Sequence, residues 1–281
     1  MNAARAVGLV MQRELDARRR AMLITTGVLV TLSVGIATVI TITAEGGSGR
    51  LTGEEADVAV AIFGVIVLFM SIIFGGQVIL MGTVEEKNSR VVEVVLGTLR
   101  PRHLLAGKVI AIGLVTFAEV ALTIGTFLAL VAAGGAFELP EASGRAAVIT
   151  LVWLLLGFAL YSTVYGAAGA MVRSHENPAN AAGPLNLVVG IGYMIGLISA
   201  SSGENLVLRI ASLLPPTAPI TMPVRMVWGE AAMWEIVLSM ALVAVSAYGL
   251  IRLAGRAYAG ALLRTGKVRW REAWRAAGDI R

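Results

Sequence analysis

The residue most able to do chemistry inside this chain is Glu119, which lies about fifteen residues into the third apolar run. A carboxylate inside a bilayer is costly and by default marks a functional site. Glu119 is therefore predicted to line a polar translocation pathway, to bind a cation or to stay protonated. The alternative is a structural role, with a hydrogen bond to a neighbouring helix through a residue such as Thr123 or Tyr161.

Catalytic and cofactor motifs are missing from the sequence. Gly107-Lys108 and Gly266-Lys267 lack the earlier glycine of a phosphate-binding loop, and valine follows each lysine where Ser or Thr is needed. No HExxH zinc motif or GxSxG elbow occurs, there are no cysteines and there are only two histidines. We therefore expect a non-catalytic chain that binds no metal or other cofactor itself.

The loop Gly82–Lys108 carries the most regular polar pattern. Thr83 and Glu86 have the spacing of a capping box, which predicts that a new helix starts where the second apolar run ends. The carboxylates of Glu86 and Glu93 flank Arg90 at helical spacing, opposite a face of valines and leucines, over 84–99. This amphipathic helix is either a connector lying on lipid or a docking element that transmits a partner's motion.

A second unusual stretch, 203–233, is too apolar for an exposed loop and too broken to span the bilayer. It contains Pro215, Pro216, Pro219 and Pro223. Such segments are tolerated at membrane depth only when they are buried in protein or line a cavity. A re-entrant or interfacial segment is predicted, and both a lid packed on the bundle and an external gate fit the pattern.

The elements that must position these residues are six apolar runs, each about as long as the roughly 20 residues that a membrane helix needs. The composition, with 57% hydrophobic and 15% charged residues, predicts an all-α polytopic membrane protein. Residues 1–20 have the stripe of an interfacial amphipathic helix, 21–258 form the transmembrane domain, and 259–281 form a basic tail. The runs are Ala21–Thr43, Ala56–Met81, Leu104–Ala133, Ala146–Val172, Gly183–Ser202 and Met233–Leu253.

The distribution of Lys and Arg predicts the orientation of the chain. With six spans, nineteen of these residues fall on one side and four on the other. This asymmetry predicts a protein of the inner or plasma membrane with both termini in the cytoplasm. It also explains the net charge of +5 without nucleic acid as a partner, because the charges lie in patches between the apolar runs.

Three stretches together resemble the type-two ABC exporter permeases, and most closely the NatB-like group, named for a sodium-extrusion system. They are Val84–Leu96 with its continuation through Arg100-Pro101-Arg102 and Leu105–Lys108, Leu214–Pro219 with Met222–Arg225, and Leu262–Lys267. The resemblance covers most of the chain from Val58 onward. It implies a six-span permease that works as two copies, or with a related permease, above two cytoplasmic ATPase subunits.

The resemblance also implies roles for individual residues. The helix Val84–Leu99 would be the coupling helix seated in the ATPase, which would bind ATP and Mg²⁺ and drive outward transport by alternating access. The residues implied in ATPase coupling are Glu85, Glu86, Arg90, Glu93, Arg100 and Arg102. Those implied in the external gate are Pro215, Pro216, Pro219, Pro223 and Arg225.

The chain departs from this pattern at Ala44–Glu55, a short connection where many NatB-like permeases carry a large external domain. Sodium is therefore not carried over as the substrate. The main alternative from another class is a secondary transporter that works without ATP and uses Glu119 for ion coupling. The lack of an internal repeat counts mildly against it.

Overall fold

The computed structural model describes residues 23–39, 53–88, 101–134, 141–172, 178–203 and 205–262. Within these ranges the chain is helical apart from short turns, and no strand occurs in them. The helices are α1 (Leu23–Val39), α2 (Gly53–Asn88), α3 (Pro101–Gly134), α4 (Glu141–Met171), α5 (Pro178–Ser202), α6 (Leu206–Leu213), α7 (Ala218–Val227) and α8 (Met233–Leu262).

Five of the six predicted runs are helices long and apolar enough to cross a membrane. An α-helix satisfies the backbone polar groups of an apolar segment internally, and the hydrocarbon core offers these groups no hydrogen-bond partner. The sixth, α1, is apolar but has 17 described residues. A membrane chain with at least five candidate spans is therefore confirmed, and the sixth span stays a prediction. The five are Ala59–Glu85, Gly107–Ala133, Ala146–Met171, Ala179–Ala200 and Met233–Ile251.

Helices α2 and α4 form the centre of the bundle, and glycines bring them close together. A Cβ added to Gly76 would lie 2.5 Å from the ring of Tyr165, and one added to Gly169 would lie 2.6 Å from the carbonyl oxygen of Leu80. Small residues at helix contacts let backbones approach in membranes, where dispersion forces and packing drive association. The close packing of these two helices therefore depends on glycine at positions 76 and 169.

The proline-containing stretch forms two short helices, α6 and α7. Residues 218–225 of α7 are all buried, and α7 contacts α2, α4, α5, α6 and α8. Leu206, Val207 and Ile210 on α6 are exposed, whereas Leu208 and Ala211 are buried. The segment is thus packed into the bundle through α7, with α6 as an amphipathic cover. Which side of the membrane it faces stays a prediction.

The predicted start of a new helix at Thr83 is wrong. Helix α2 continues without a break to Asn88, and the buried Thr83 hydroxyl donates to the Ile79 carbonyl oxygen at 2.8 Å within that helix. A buried threonine can satisfy its hydroxyl on the preceding turn, so the capping-box spacing alone does not mark a helix start. Val84 to Asn88 therefore belong to the end of α2.

Other predictions fall outside the described residues. These include the interfacial helix at 1–20, the part of the coupling helix that contains Arg90 and Glu93, and Arg100. Glu86 and Arg102 lie in α2 and α3, but their side chains are not described. Of the predicted tail, the part up to Leu262 continues α8 as a helix.

Candidate functional site

A buried ion pair joins the two elements at the end of the proline-containing stretch. Arg225 is in the last turn of α7, and Glu235 is in the first turn of α8. Their side chains are 1% and 2% exposed, and Arg225 Nη2 lies 2.6 Å from Glu235 Oε2. Because both side chains are shielded from water, each charge is compensated by the other and not by solvent.

The same carboxylate holds a second arginine, so the cluster ties three helices together. Arg209 on α6 donates from Nε to Glu235 Oε1 at 2.9 Å, and its side chain is 54% exposed. Arg225 Nη1 also donates to the Ser212 hydroxyl at 3.0 Å, and the Ser239 hydroxyl donates to the Ser212 carbonyl at 2.6 Å. We call these five residues the Arg225–Glu235 cluster.

Local sequence signals explain why the short helices take these positions. The Asn205 side chain caps α6 by accepting from the Leu208 amide at 2.8 Å. Pro219 lies in the first turn of α7, where its missing N–H costs nothing. Gly229 has φ +72°, a left-handed conformation that favours glycine, and it turns the chain between α7 and α8.

Contacts with α4 hold this segment in the bundle. The Tyr161 hydroxyl donates to the Pro216 carbonyl oxygen, and Trp153 Nε1 donates to Met226 Sδ at 3.2 Å. A Cβ added to Gly157 would lie 2.7 Å from Pro219 Cβ, so α7 approaches α4 where a side chain is absent. The segment is therefore fixed at several points along one face of α4.

The predicted gate residues separate into two groups. Pro219, Pro223 and Arg225 are buried in α7, whereas Pro215 is half-buried and Pro216 is exposed in the turn between α6 and α7. The structure therefore brings Arg225 together with a carboxylate that sequence reasoning did not single out. An acidic residue opening the last apolar run, ten positions after an arginine, is the signal that could have found it.

Glu119 is the other buried carboxylate, and its partners are on α1. Its Oε1 accepts hydrogen bonds from the hydroxyls of Thr25 at 2.9 Å and Thr26 at 2.7 Å. The structural partners suggested by the sequence are wrong: the Thr123 hydroxyl donates to the Glu119 backbone carbonyl, and Tyr161 bonds to Pro216. Glu119 thus links α3 to α1.

For the remaining predicted site residues, the structure describes few side-chain positions. Glu85 is exposed near the end of α2, and it is the one coupling residue whose side chain is described. In the described ranges, no three His, Cys, Asp or Glu side chains lie close enough together to hold a metal ion. In the part of the chain that the structure describes, charge is combined with burial at the Arg225–Glu235 cluster, at Glu119 and at Lys108, which is 0% exposed.

Comparison with known proteins shows similarity over most of the chain. A sequence model of the ABC-2 family transporter proteins matches residues 21–256. The uncharacterized protein YhaP of Bacillus subtilis strain 168 is 25% identical over 207 residues, which cover 70% of this chain and 49% of YhaP. The uncharacterized protein MJ1024 of Methanocaldococcus jannaschii is 23% identical over 182 residues, which cover 65% of this chain and 44% of MJ1024. The chain thus spans about half the length of these curated relatives.

Proposed function

Since the chain belongs to the ABC-2 transporter family, we propose that it is the transmembrane permease subunit of an ATP-driven exporter. In this proposal, six spans place both termini in the cytoplasm, and two copies, or one copy and a related permease, form the transporter. Cytoplasmic ABC ATPase subunits supply ATP hydrolysis, and the permease moves substrate outward by alternating access. The chain itself is non-catalytic, and its closer likeness to NatB-like permeases stays part of the proposal.

The observation that carries the proposal is the position of α7. This short helix is buried against five others, yet turns connect it on both sides, and its arginine is tied to the first turn of α8. A short helix that is separated from the spans by turns, but packs among them, can move as a unit. We therefore assign α6 and α7 as the external gate, with the Arg225–Glu235 cluster holding it closed.

The unbroken course of α2 supports a mechanical link to that gate. Its 36 residues correspond to about 54 Å at the standard helical rise, well beyond a hydrocarbon core of about 30 Å. One end leads into the proposed coupling loop, and the body of the helix contacts α7. Because α2 is continuous through Thr83, a displacement of residue 88 by the ATPase would be transmitted along the whole helix.

The test uses the chain co-expressed with a candidate ABC ATPase, to be sought in the neighbouring reading frames. We expect a stable complex whose ATP hydrolysis in proteoliposomes differs from that of the ATPase alone. Replacing Glu86, Arg90 and Glu93 together by alanine should abolish this difference while the spans stay folded. The matched control replaces Glu54 and Glu55 at the opposite end of α2, and it should keep normal coupling.

A distance measurement tests the gate itself, and the cysteine-free sequence makes it simple. Spin labels on exposed Leu214 and Val237, each replaced by cysteine, report on the separation of the gate from α8. Their distance should change between nucleotide-free and ATP-trapped complexes, and the coupling variant should not show the change. An unchanged distance in the unaltered complex would refute the gate assignment.

The ATP-independent alternative predicts a different outcome. A secondary transporter using Glu119 would move substrate in proteoliposomes that contain the chain without ATPase, driven by an ion gradient. It would also form no specific complex with the ATPase, and the coupling variant would transport normally. These results would replace the exporter proposal.

A further inference from the structure

A small cavity lies between α1, α2 and α3, apart from the proposed gate. Thr25, Ser71, Thr116 and Glu119 are its polar lining residues, and the rest of the wall, which includes Gly75, is apolar. The cavity has a volume of about 10 Å³, which is room for about one water-sized species. On its other side Glu119 borders an open groove of about 360 Å³, whose other lining residues are Thr26 and apolar side chains.

Two oxygen atoms at this cavity have unused bonding capacity. Glu119 is 8% exposed, and both of its printed bonds, from Thr25 and Thr26, go to Oε1. No hydrogen bond joins Oε2 to any other residue that the structure describes. Thr116 is 5% exposed, and its hydroxyl has no partner among the described residues either. Neither oxygen is among the described side-chain atoms that are both fully buried and unbonded, so each can still accept a ligand that enters the cavity.

The charge of Glu119 indicates the sign and size of that ligand. Among the residues that the structure describes, no other charged residue lines the cavity or the adjoining groove. Lys108 lies on the same helix, but eleven residues away, which is about 16 Å along the axis. A single negative charge at membrane depth is stabilised by a single positive charge. Carboxylate and hydroxyl oxygens are ligands that suit a hard cation.

Gly75 keeps the space for such an ion open. A Cβ at this position would lie 3.2 Å from Thr116 Oγ1 and 2.6 Å from Phe158 Cε2. Thr116 and Glu119 are three residues apart and share one face of α3, and Ser71 and Gly75 share one face of α2. Oxygen ligands thus converge on the cavity from three helices.

We propose that this cavity binds one monovalent alkali cation through the Glu119 carboxylate and the Thr116 and Thr25 hydroxyl oxygens. The ion would tie α1 to α2 and α3, and it need not be the transported substrate. The proposal goes beyond the exporter function and does not depend on it, because the binding test below needs neither ATP nor the ATPase.

The test measures the unfolding temperature of the purified full-length chain in detergent. Lithium, sodium and potassium chloride are each titrated against choline chloride at constant ionic strength, because choline is too large for the cavity. We expect a saturable rise in the unfolding temperature with at least one alkali cation, since a ligand that binds the folded state stabilises it. Choline should give no such rise.

Variants of α3 test whether the rise in unfolding temperature comes from binding at this cavity. Glu119→Gln should abolish it, and Thr116→Val should weaken the apparent affinity on the order of tenfold, as expected for the loss of one oxygen ligand. Thr126→Val is the matched control, because Thr126 is exposed on the same helix and bonds to Leu122. Its response should equal that of the unaltered chain. If Glu119→Gln does not fold, the comparison of the two threonine variants decides.

Three outcomes would overturn the proposal. The first is an equal response to choline and to all alkali cations. The second is an undiminished alkali response in Thr116→Val or Glu119→Gln. The third is stabilisation by acid alone, lost in Glu119→Gln, which would mean that a proton neutralises the carboxylate.

Discussion

Replacing Glu235 by glutamine tests the energetic role of the Arg225–Glu235 cluster. The change keeps the shape of the side chain and an oxygen that can accept from the Ala232 amide, a bond of 3.3 Å in the structure. It removes the negative charge that faces Arg225, whose side chain is 1% exposed. Removing one partner of a buried pair leaves an uncompensated charge and costs about 3–5 kcal/mol.

The matched control is Arg209→Gln, which removes a bond to the same carboxylate. Because the Arg209 side chain is 54% exposed, its bond to Glu235 competes with solvation, and its loss should cost at most about 1 kcal/mol. The assay is thermal unfolding of the purified chain followed by tryptophan fluorescence. At roughly 2–4 °C per kcal/mol, Glu235→Gln should lower the transition by roughly 6–20 °C, and the control by at most roughly 4 °C.

A double variant separates a charge effect from a packing effect. Arg225→Met with Glu235→Leu removes both buried charges and keeps apolar volume, so it should recover most of the stability lost in Glu235→Gln. The reasoning would be refuted if Glu235→Gln and Arg209→Gln destabilised equally. It would also be refuted if the double variant were no more stable than Glu235→Gln.

Two contacts between α4 and the gate give further predictions. Gly157→Ala places a Cβ 2.7 Å from Pro219 Cβ and should destabilise the chain by about 1–3 kcal/mol in thermal unfolding. Gly125→Ala, which meets no atom within 4 Å, should leave the transition nearly unchanged, and equal effects would contradict the close contact. Tyr161→Phe removes the donor to the Pro216 carbonyl and should cost about 1 kcal/mol. Hydrogen exchange should then rise in the turn between α6 and α7, and unaltered exchange there would argue against this contact as an anchor.

The spans could be predicted from sequence because the length and hydropathy of a run decide whether it crosses a membrane. The predicted run Ala56–Met81 and the observed span Ala59–Glu85 differ by a few residues at each end. The error at Thr83 has a physical cause. The capping-box pattern depends on the threonine being at a helix end, and packing of α2 on α4 instead keeps it inside a buried turn.

The polar contacts could be predicted only in part. The cost of burying a carboxylate marked Glu119, but its partners Thr25 and Thr26 are more than ninety residues away, and no local pattern connects them. Arg225 was found through its place beside the prolines. Glu235 was missed, because an acidic residue in the first turn of a helix is common and favourable for the helix dipole. Only the fold shows that the two are paired.

The two buried carboxylates differ in what neutralises them, and this difference separates their roles. Glu235 faces two arginines of the chain itself, so its compensation is built into the fold and persists while α6, α7 and α8 stay together. Glu119 faces only hydroxyls among the described residues that line its cavity, and one of its oxygens remains available. A fixed pair is suited to holding helices in place, and breaking it costs several kcal/mol. A carboxylate without a built-in counter-charge depends on what is dissolved around it. If both proposals hold, the closed gate would be a property of the chain, and the packing of α1 would respond to the ions in solution.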